Sequence, residues 1–193
     1  PAFLSSAIID AVHSDELDNK EEVAVVGMNF EQARFNMVEQ QIRPWDVLEP
    51  EILELFSVVK REDFVPEHYR ELAFADVEIP LKPCQRPGQC LLIPGVEARM
   101  LQALNVKTTD KVLEVGSGSG YMAALLAAKA EFVYSVEIDP DLVKVARDNL
   151  QRAGVANVSV DLGDASSGWD LYAPYDVIVV TGSLPALPET LLH

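Results

Sequence analysis

The chain has 193 residues, 49% hydrophobic and 24% charged, which is enough for one well-buried core and marginal for two. Lys and Arg number 15 against 31 Asp and Glu, a net charge of -16, so a phosphate backbone is repelled and nucleic acid is not an expected partner. No apolar run reaches the length of a membrane span, no basic stretch with an apolar core opens the chain, and Cys84 and Cys90 form no C-x-x-C pair and have no histidine near them. The expectation is a cytoplasmic protein with reduced thiols, no bound metal and no membrane association.

Residues 1–27 run from a mild apolar stretch through an acidic segment at 15–22, expected to be solvated, to Val23, Ala24, Val25 and Val26. Met28 would serve as a start, which leaves 1–27 as an extension of unassigned role. A second segment, 28–104, reads as helices and a loop. Apolar spacing predicts a helix over 30–42 with Phe35, Val38 and Ile42 on its buried face, and another over 50–59 with Ile52, Leu55, Phe56 and Val59. Pro44 separates the two, and Pro50 stands where a helix can begin. Pro80, Pro83 and Pro87 deny residues 73–89 a regular helix or a central strand. An irregular loop across the mouth of the domain, where substrate contacts are made, is expected there. A helix resumes over 95–104, with Val96, Met100, Leu101 and Leu104 for its buried face.

The third segment, 105–193, is organised around KVLEVGSGSGYMAALLAAK at 111–129. Val112, Leu113 and Val115 make a short buried strand, Gly116, Gly118 and Gly120 follow with serines between them, and good helix formers begin at Tyr121. Such a loop lets backbone N–H groups approach a ligand closely; a plain strand-to-helix turn is the alternative. The spacing G-x-G-x-G lacks the third glycine of the G-x-G-x-x-G dinucleotide fingerprint. Glu114, inside the strand, would repel a diphosphate and suits a cationic ligand. Further strands over 132–138, 158–162 and 175–181 alternate with a helix over 140–153, which starts at Pro140 and stops at Gly154. The alternation predicts a parallel sheet with helices on both faces and a ligand beyond the carboxyl ends of its strands. Glu114, Glu137, Asp139 and Asp164 fall at those ends. Each alone reads more readily as a solvated turn residue; jointly, with the glycine loop, they favour an adenosine-bearing ligand without a diphosphate.

LEVGSGSGY at 113–121, SVEIDPDL at 135–142, Gly163-Asp164 and APYDVIVVTGSLP at 173–185 resemble the successive motifs of class I S-adenosylmethionine-dependent methyltransferases, an α/β class with a Rossmann-like sheet. More narrowly, residues 37–67, LAFADVEIPL at 72–81, Gly88-Gln89, Pro94 and Ala98 to Met100 are similar to protein-L-isoaspartate O-methyltransferases. The resemblance runs from about Met28 to the end of the chain. It implies transfer of a methyl group from S-adenosylmethionine to the side-chain carboxylate of an isoaspartyl residue in damaged protein, with S-adenosylhomocysteine as product. It places Gly116, Ser117 and Gly118 against the methionine part of the cofactor, Glu137 at the ribose hydroxyls and Asp164 by the adenine, and implies that Glu114, Ile138 and Ala165 belong to the same cofactor-binding set. A sulfonium is its own activated donor, so alignment and exclusion of water matter more than a base, and no catalytic residue is singled out.

Two departures from the family pattern stand out. The substrate loop of the family reads G-Q-T-I-S-Q-P, and this chain has Gly88, Gln89, Cys90, Leu91, Leu92, Ile93 and Pro94, with Leu92 in the place of the serine. The stretch before Gly88, with Cys84 and Arg86, is also longer. The sequence ends at His193, where the family continues into further strands, so an apolar edge at the fourth strand is expected. Residues 22–26 are the candidate to cover it, within one chain or between two in a homodimer. A cofactor-binding homologue without isoaspartyl activity is the alternative function.

Overall fold

The computed structural model describes residues 28–82, 89–184 and 188. Helix α1 (Phe30–Met37) is capped by Asn29, whose side chain accepts the Gln32 N–H. It continues through a π-helical turn at Val38–Ile42 into a 3-10 turn at Arg43–Trp45. Its buried face carries Arg34, Met37, Val38 and Ile42, while Phe35 is 59% exposed. Hydropathy alone puts Phe35 inside; the structure puts Arg34 inside because Glu62 is buried opposite and pairs with it. Helix α2 (Pro50–Val58) buries Ile52, Leu53 and Phe56, with Leu55 and Val59 partly covered.

Two 3-10 turns, Arg61–Asp63 and Glu67–Leu72, lead into β1 (Ile79–Pro80), which pairs antiparallel with β2 (Cys90–Leu91). The proline-rich stretch is thus irregular except for this two-residue ladder, and its Cys84, Arg86 and Gly88 lie outside the described residues. Helix α3 (Pro94–Leu104) turns Glu97, Ala98 and Leu101 inward. Val96, Met100 and Leu104, expected on that face, are only half-buried, because the inner position goes to Glu97, the partner of buried Arg61.

The parallel sheet has the order β5-β4-β3-β6: β3 (Lys111–Val115), β4 (Phe132–Glu137), β5 (Val158–Leu162) and β6 (Val177–Val180). Helix α4 (Tyr121–Ala127) follows β3 and is buried throughout. Helix α5 (Pro140–Arg152) follows β4, with Asp139 as its N-cap, Pro140 in its first turn and Gly154 (φ +70) just past its end. Its buried residues Leu142, Val143, Ala146, Asn149 and Leu150 keep a helical period.

One apolar cluster runs from Met37 to Val179 and takes in residues of both the 28–104 and 105–184 segments, including Val112, Tyr121 and Ala146. A second, on the opposite sheet face, joins Leu113, Val115, Val136 and Ala165 to Trp169 and Tyr175. Alternation along β3 therefore sends Glu114 to the side of Val112, into the larger core. β6 pairs with β3 on one side, and among the described residues no strand lies beyond it; residues 22–26, expected to cover it, are outside the described residues. No helix among the described residues is long and apolar enough to cross a membrane.

Candidate active site

The carboxyl ends of the four parallel strands open onto a cleft of about 490 Å³, inside the usual range of small-molecule sites. Gly116 and Gly118 follow β3, Glu137 and Ile138 end β4, Asp164 and Ala165 follow β5, and Thr181 and Gly182 follow β6. Leu81, Gln89 and Cys90, around the β1–β2 pair, form the facing wall.

The loop after β3 needs its glycines. Gly116 has φ +104, and a Cβ there would stand 2.5 Å from the backbone nitrogen of Gly182, closer than any carbon can approach. Gly118, at φ +53, faces the movable Leu81 side chain at 3.1 Å. Its N–H donates to Glu137 Oε2 at 2.9 Å, while Glu137 Oε1 accepts the Asp139 N–H at 3.0 Å. Glu137, 6% exposed, thereby ties the loops after β3 and β4 together and keeps lone pairs for two further donors from the cleft. Ile138 is 65% exposed beside it. Asp164 is exposed and accepts the Ser166 N–H at 2.9 Å, which with the Ser166 hydroxyl lowers its pKa.

Glu114 and Ser117 lie behind the cleft, around a cavity of about 40 Å³ that shares Leu81, Cys90, Gly116 and Gly118 with it. Strand register sets Ser135 beside Glu114, and the Ser135 hydroxyl donates to Glu114 Oε2 at 2.5 Å with the Ser117 hydroxyl 2.5 Å behind it. Burial pushes the Glu114 carboxyl up to about 8, with Ser135 acting against the shift and the nearby Glu137 and Glu97 adding to it. Glu114 Oε1 is buried and makes no hydrogen bond among the described residues.

The expected acceptor residues divide in the same way: Gln89 and Cys90 reach the cleft, and Leu92 lines the small cavity. Asp139 leaves the set of strand-end acids. It caps α5 and receives Lys82 Nζ at 2.7 Å and Gln89 Nε2 at 3.1 Å, and Lys82 above all holds its carboxyl down to about 2. Sequence reasoning missed Lys82, Thr181, and the buried pair of Arg61 with Glu97. The only signal for the pair was two opposite charges at core-facing positions, visible once the packing is known.

An adenosine-bearing sulfonium fits these residues. Glu137 has free lone pairs for hydroxyl donors, Ile138, Leu142 and Ala165 offer an apolar seat for a base, and Glu114 Oε1, with no hydrogen bond among the described residues, stands behind the glycine loop for a cationic end. Fold and site together define a class I S-adenosylmethionine-dependent methyltransferase.

The family model for Protein-L-isoaspartate(D-aspartate) O-methyltransferase (PCMT) matches residues 32–193. The chain is 43% identical over 156 residues to a protein-L-isoaspartate O-methyltransferase of Protochlamydia amoebophila, covering 81% of this chain and 72% of that one. With that of Methanoculleus marisnigri it shares 41% over 159 residues, 82% of this chain and 70% of the relative. A solved protein-L-isoaspartate O-methyltransferase has the same fold with a TM-score of 0.68 at 24% identity, over 84% of this chain and 50% of that chain. A structure from Plasmodium falciparum, described as a putative enzyme of this kind in complex with S-adenosyl-L-homocysteine, gives 0.66 at 19%, over 86% and 78%. The chain belongs to the protein-L-isoaspartate O-methyltransferase family.

Proposed function

We propose that the chain methylates the side-chain carboxylate of isoaspartyl residues in damaged protein, with Gly116, Ser117 and Gly118 at the methionine end of the cofactor and Glu114 behind them, Glu137 at its ribose, and Ile138, Asp164 and Ala165 by its adenine. The observation that carries the assignment of roles is Glu137, whose carboxylate closes the glycine loop and faces the cleft with lone pairs to spare. S-adenosylmethionine supplies a methyl group already activated on a sulfonium. An acceptor carboxylate is ionised at neutral pH, so the task left to this chain is to hold that carboxylate in line and keep water out. Leu81, Gln89 and Cys90 supply the wall for it. Burial, followed by the charge of Glu78, pushes the Cys90 thiol up to about 11, so it stays neutral and offers no competing thiolate.

The acceptor is a protein or peptide and not a nucleic acid, in keeping with the net charge of -16. The protein acts in the cytoplasm, in keeping with the reduced thiols expected of its two cysteines. The chain divides into the segments 1–27, 28–104 and 105–193, and two copies of it associate. Light scattering on the chain with and without 1–27 tests this: a monomer in both rejects the association.

A second reading, a cofactor-binding homologue without isoaspartyl activity, is favoured by one observation. Leu92, in place of the family serine, presents an apolar side chain to the cavity behind the cleft. Calorimetric titration with S-adenosylhomocysteine followed by methyl transfer to an isoaspartyl peptide separates the two. Binding with transfer supports the first, binding alone supports the second, and no binding rejects both.

A further inference from the structure

Arg61 is fully buried and has no part in the chemistry above. A guanidinium survives there only if its donors are met. Nε donates to the Ala73 carbonyl at 2.8 Å, Nη2 to the Leu92 carbonyl at 2.5 Å, and Nη1 pairs with Glu97. Its Cζ lies 5.0 Å from the ring centroid of Tyr121, the residue directly after Gly120. One side chain therefore touches the stretch leading into β1, the residue after β2, helix α3 and the end of the glycine loop. Two of these pieces carry the wall formed by Leu81, Gln89 and Cys90; another adjoins the loop that faces the cofactor.

We propose that Arg61 is a positioning residue for the methyl transfer: it holds the β1–β2 wall, which faces the acceptor, in register with the glycine loop. The proposal rests on the methyl-transfer reading for its kinetic arm. The three acceptors lie in different directions, a task for a planar fork with five N–H donors and not for a point charge. Glu97 balances the charge; burial pushes its carboxyl up to about 7, with Arg61 acting against the shift. A side chain that only filled the core would need neither the fork nor the two loop carbonyls.

The test compares the parent with Arg61→Met/Glu97→Met, which removes the pair without stranding a buried charge, and with Arg61→Lys. Three quantities are read: exchange of the Leu81 amide, which donates to the Gln89 carbonyl at 3.0 Å across the wall; affinity for S-adenosylhomocysteine; and KM and kcat for an isoaspartyl peptide. In the double variant the Leu81 amide should exchange about tenfold faster and the peptide KM rise about tenfold, while S-adenosylhomocysteine affinity stays within about threefold. Arg61→Lys should fall between, since an ammonium reaches some of the three acceptors but not all. Unchanged Leu81 exchange overturns the proposal, as does an affinity for S-adenosylhomocysteine that falls as far as the peptide KM rises. Should the double variant not fold, Arg61→Lys carries the same comparison. If the parent methylates no isoaspartyl peptide, the reaction reading fails, and exchange and affinity still decide the role of Arg61.

Discussion

The two walls of the cleft are built on different physics. On the cofactor side, backbone conformation dominates: Gly116 must be glycine because Gly182 crosses within 2.5 Å of where its Cβ would stand, and Glu137 fastens Gly118 by a main-chain N–H. On the β1–β2 side, charge pairs do the holding, through buried Arg61 with Glu97 and half-buried Lys82 with Asp139. Backbone constraints tolerate almost no substitution. Charge pairs can be exchanged as pairs, and their loss is read in register and specificity before it is read in the fold.

The largest effect tests that contrast at its strictest point. Gly116→Val should cost about 4 kcal/mol or more, through a forced positive φ and a backbone clash, read as loss of soluble protein or a collapsed melting temperature. Gly118→Val should fold better, since only the Leu81 side chain must move, yet lose binding of S-adenosylhomocysteine. If Gly116→Val folds and binds normally, the loop is a plain turn.

Glu114, behind the cleft, should make stability depend on pH. In the folded protein it titrates at about 8, against an ordinary 4.5, so between those values the folded state holds a proton that the unfolded chain has released. Its contribution is therefore fully present below pH 4.5 and lost as pH rises through 8, by about 3–5 kcal/mol. Glu114→Gln keeps an acceptor for Ser135 and should flatten that part of the slope in denaturant unfolding from pH 5 to 9. The same slope in the variant would show that Glu114 ionises freely.

Leu92→Ser sharpens the acceptor side. A hydroxyl bonded to a charged acceptor group is worth about 1.5–3 kcal/mol, so isoaspartyl methylation should rise about tenfold to a hundredfold if only that donor is wanting. Unchanged rates with the cofactor still bound would point to a wall shaped for another acceptor. The smallest effect belongs to Glu137→Ala, which should weaken S-adenosylhomocysteine binding by about 1–3 kcal/mol, through lost hydroxyl contacts and a freed Gly118 N–H. Calorimetry showing unchanged affinity would remove Glu137 from the site.

The sequence alone determined the parallel strands, the helices between them and part of the cleft lining. A strand shows itself in its own apolar residues, a positive φ in its own glycine, and a helix start in Pro140 after Asp139; each signal is local. Only the tertiary structure decided what the charges do. It placed Arg34 and not Phe35 inside α1, gave Glu97 the inner position of α3, and drew Asp139 away from the cleft to Lys82 and Gln89. The parallel register that sets Ser135 against Glu114 put that carboxylate in the cavity behind the cleft. Desolvation makes a buried charge depend on a partner tens of residues away, and no local pattern along the chain records which partner that is.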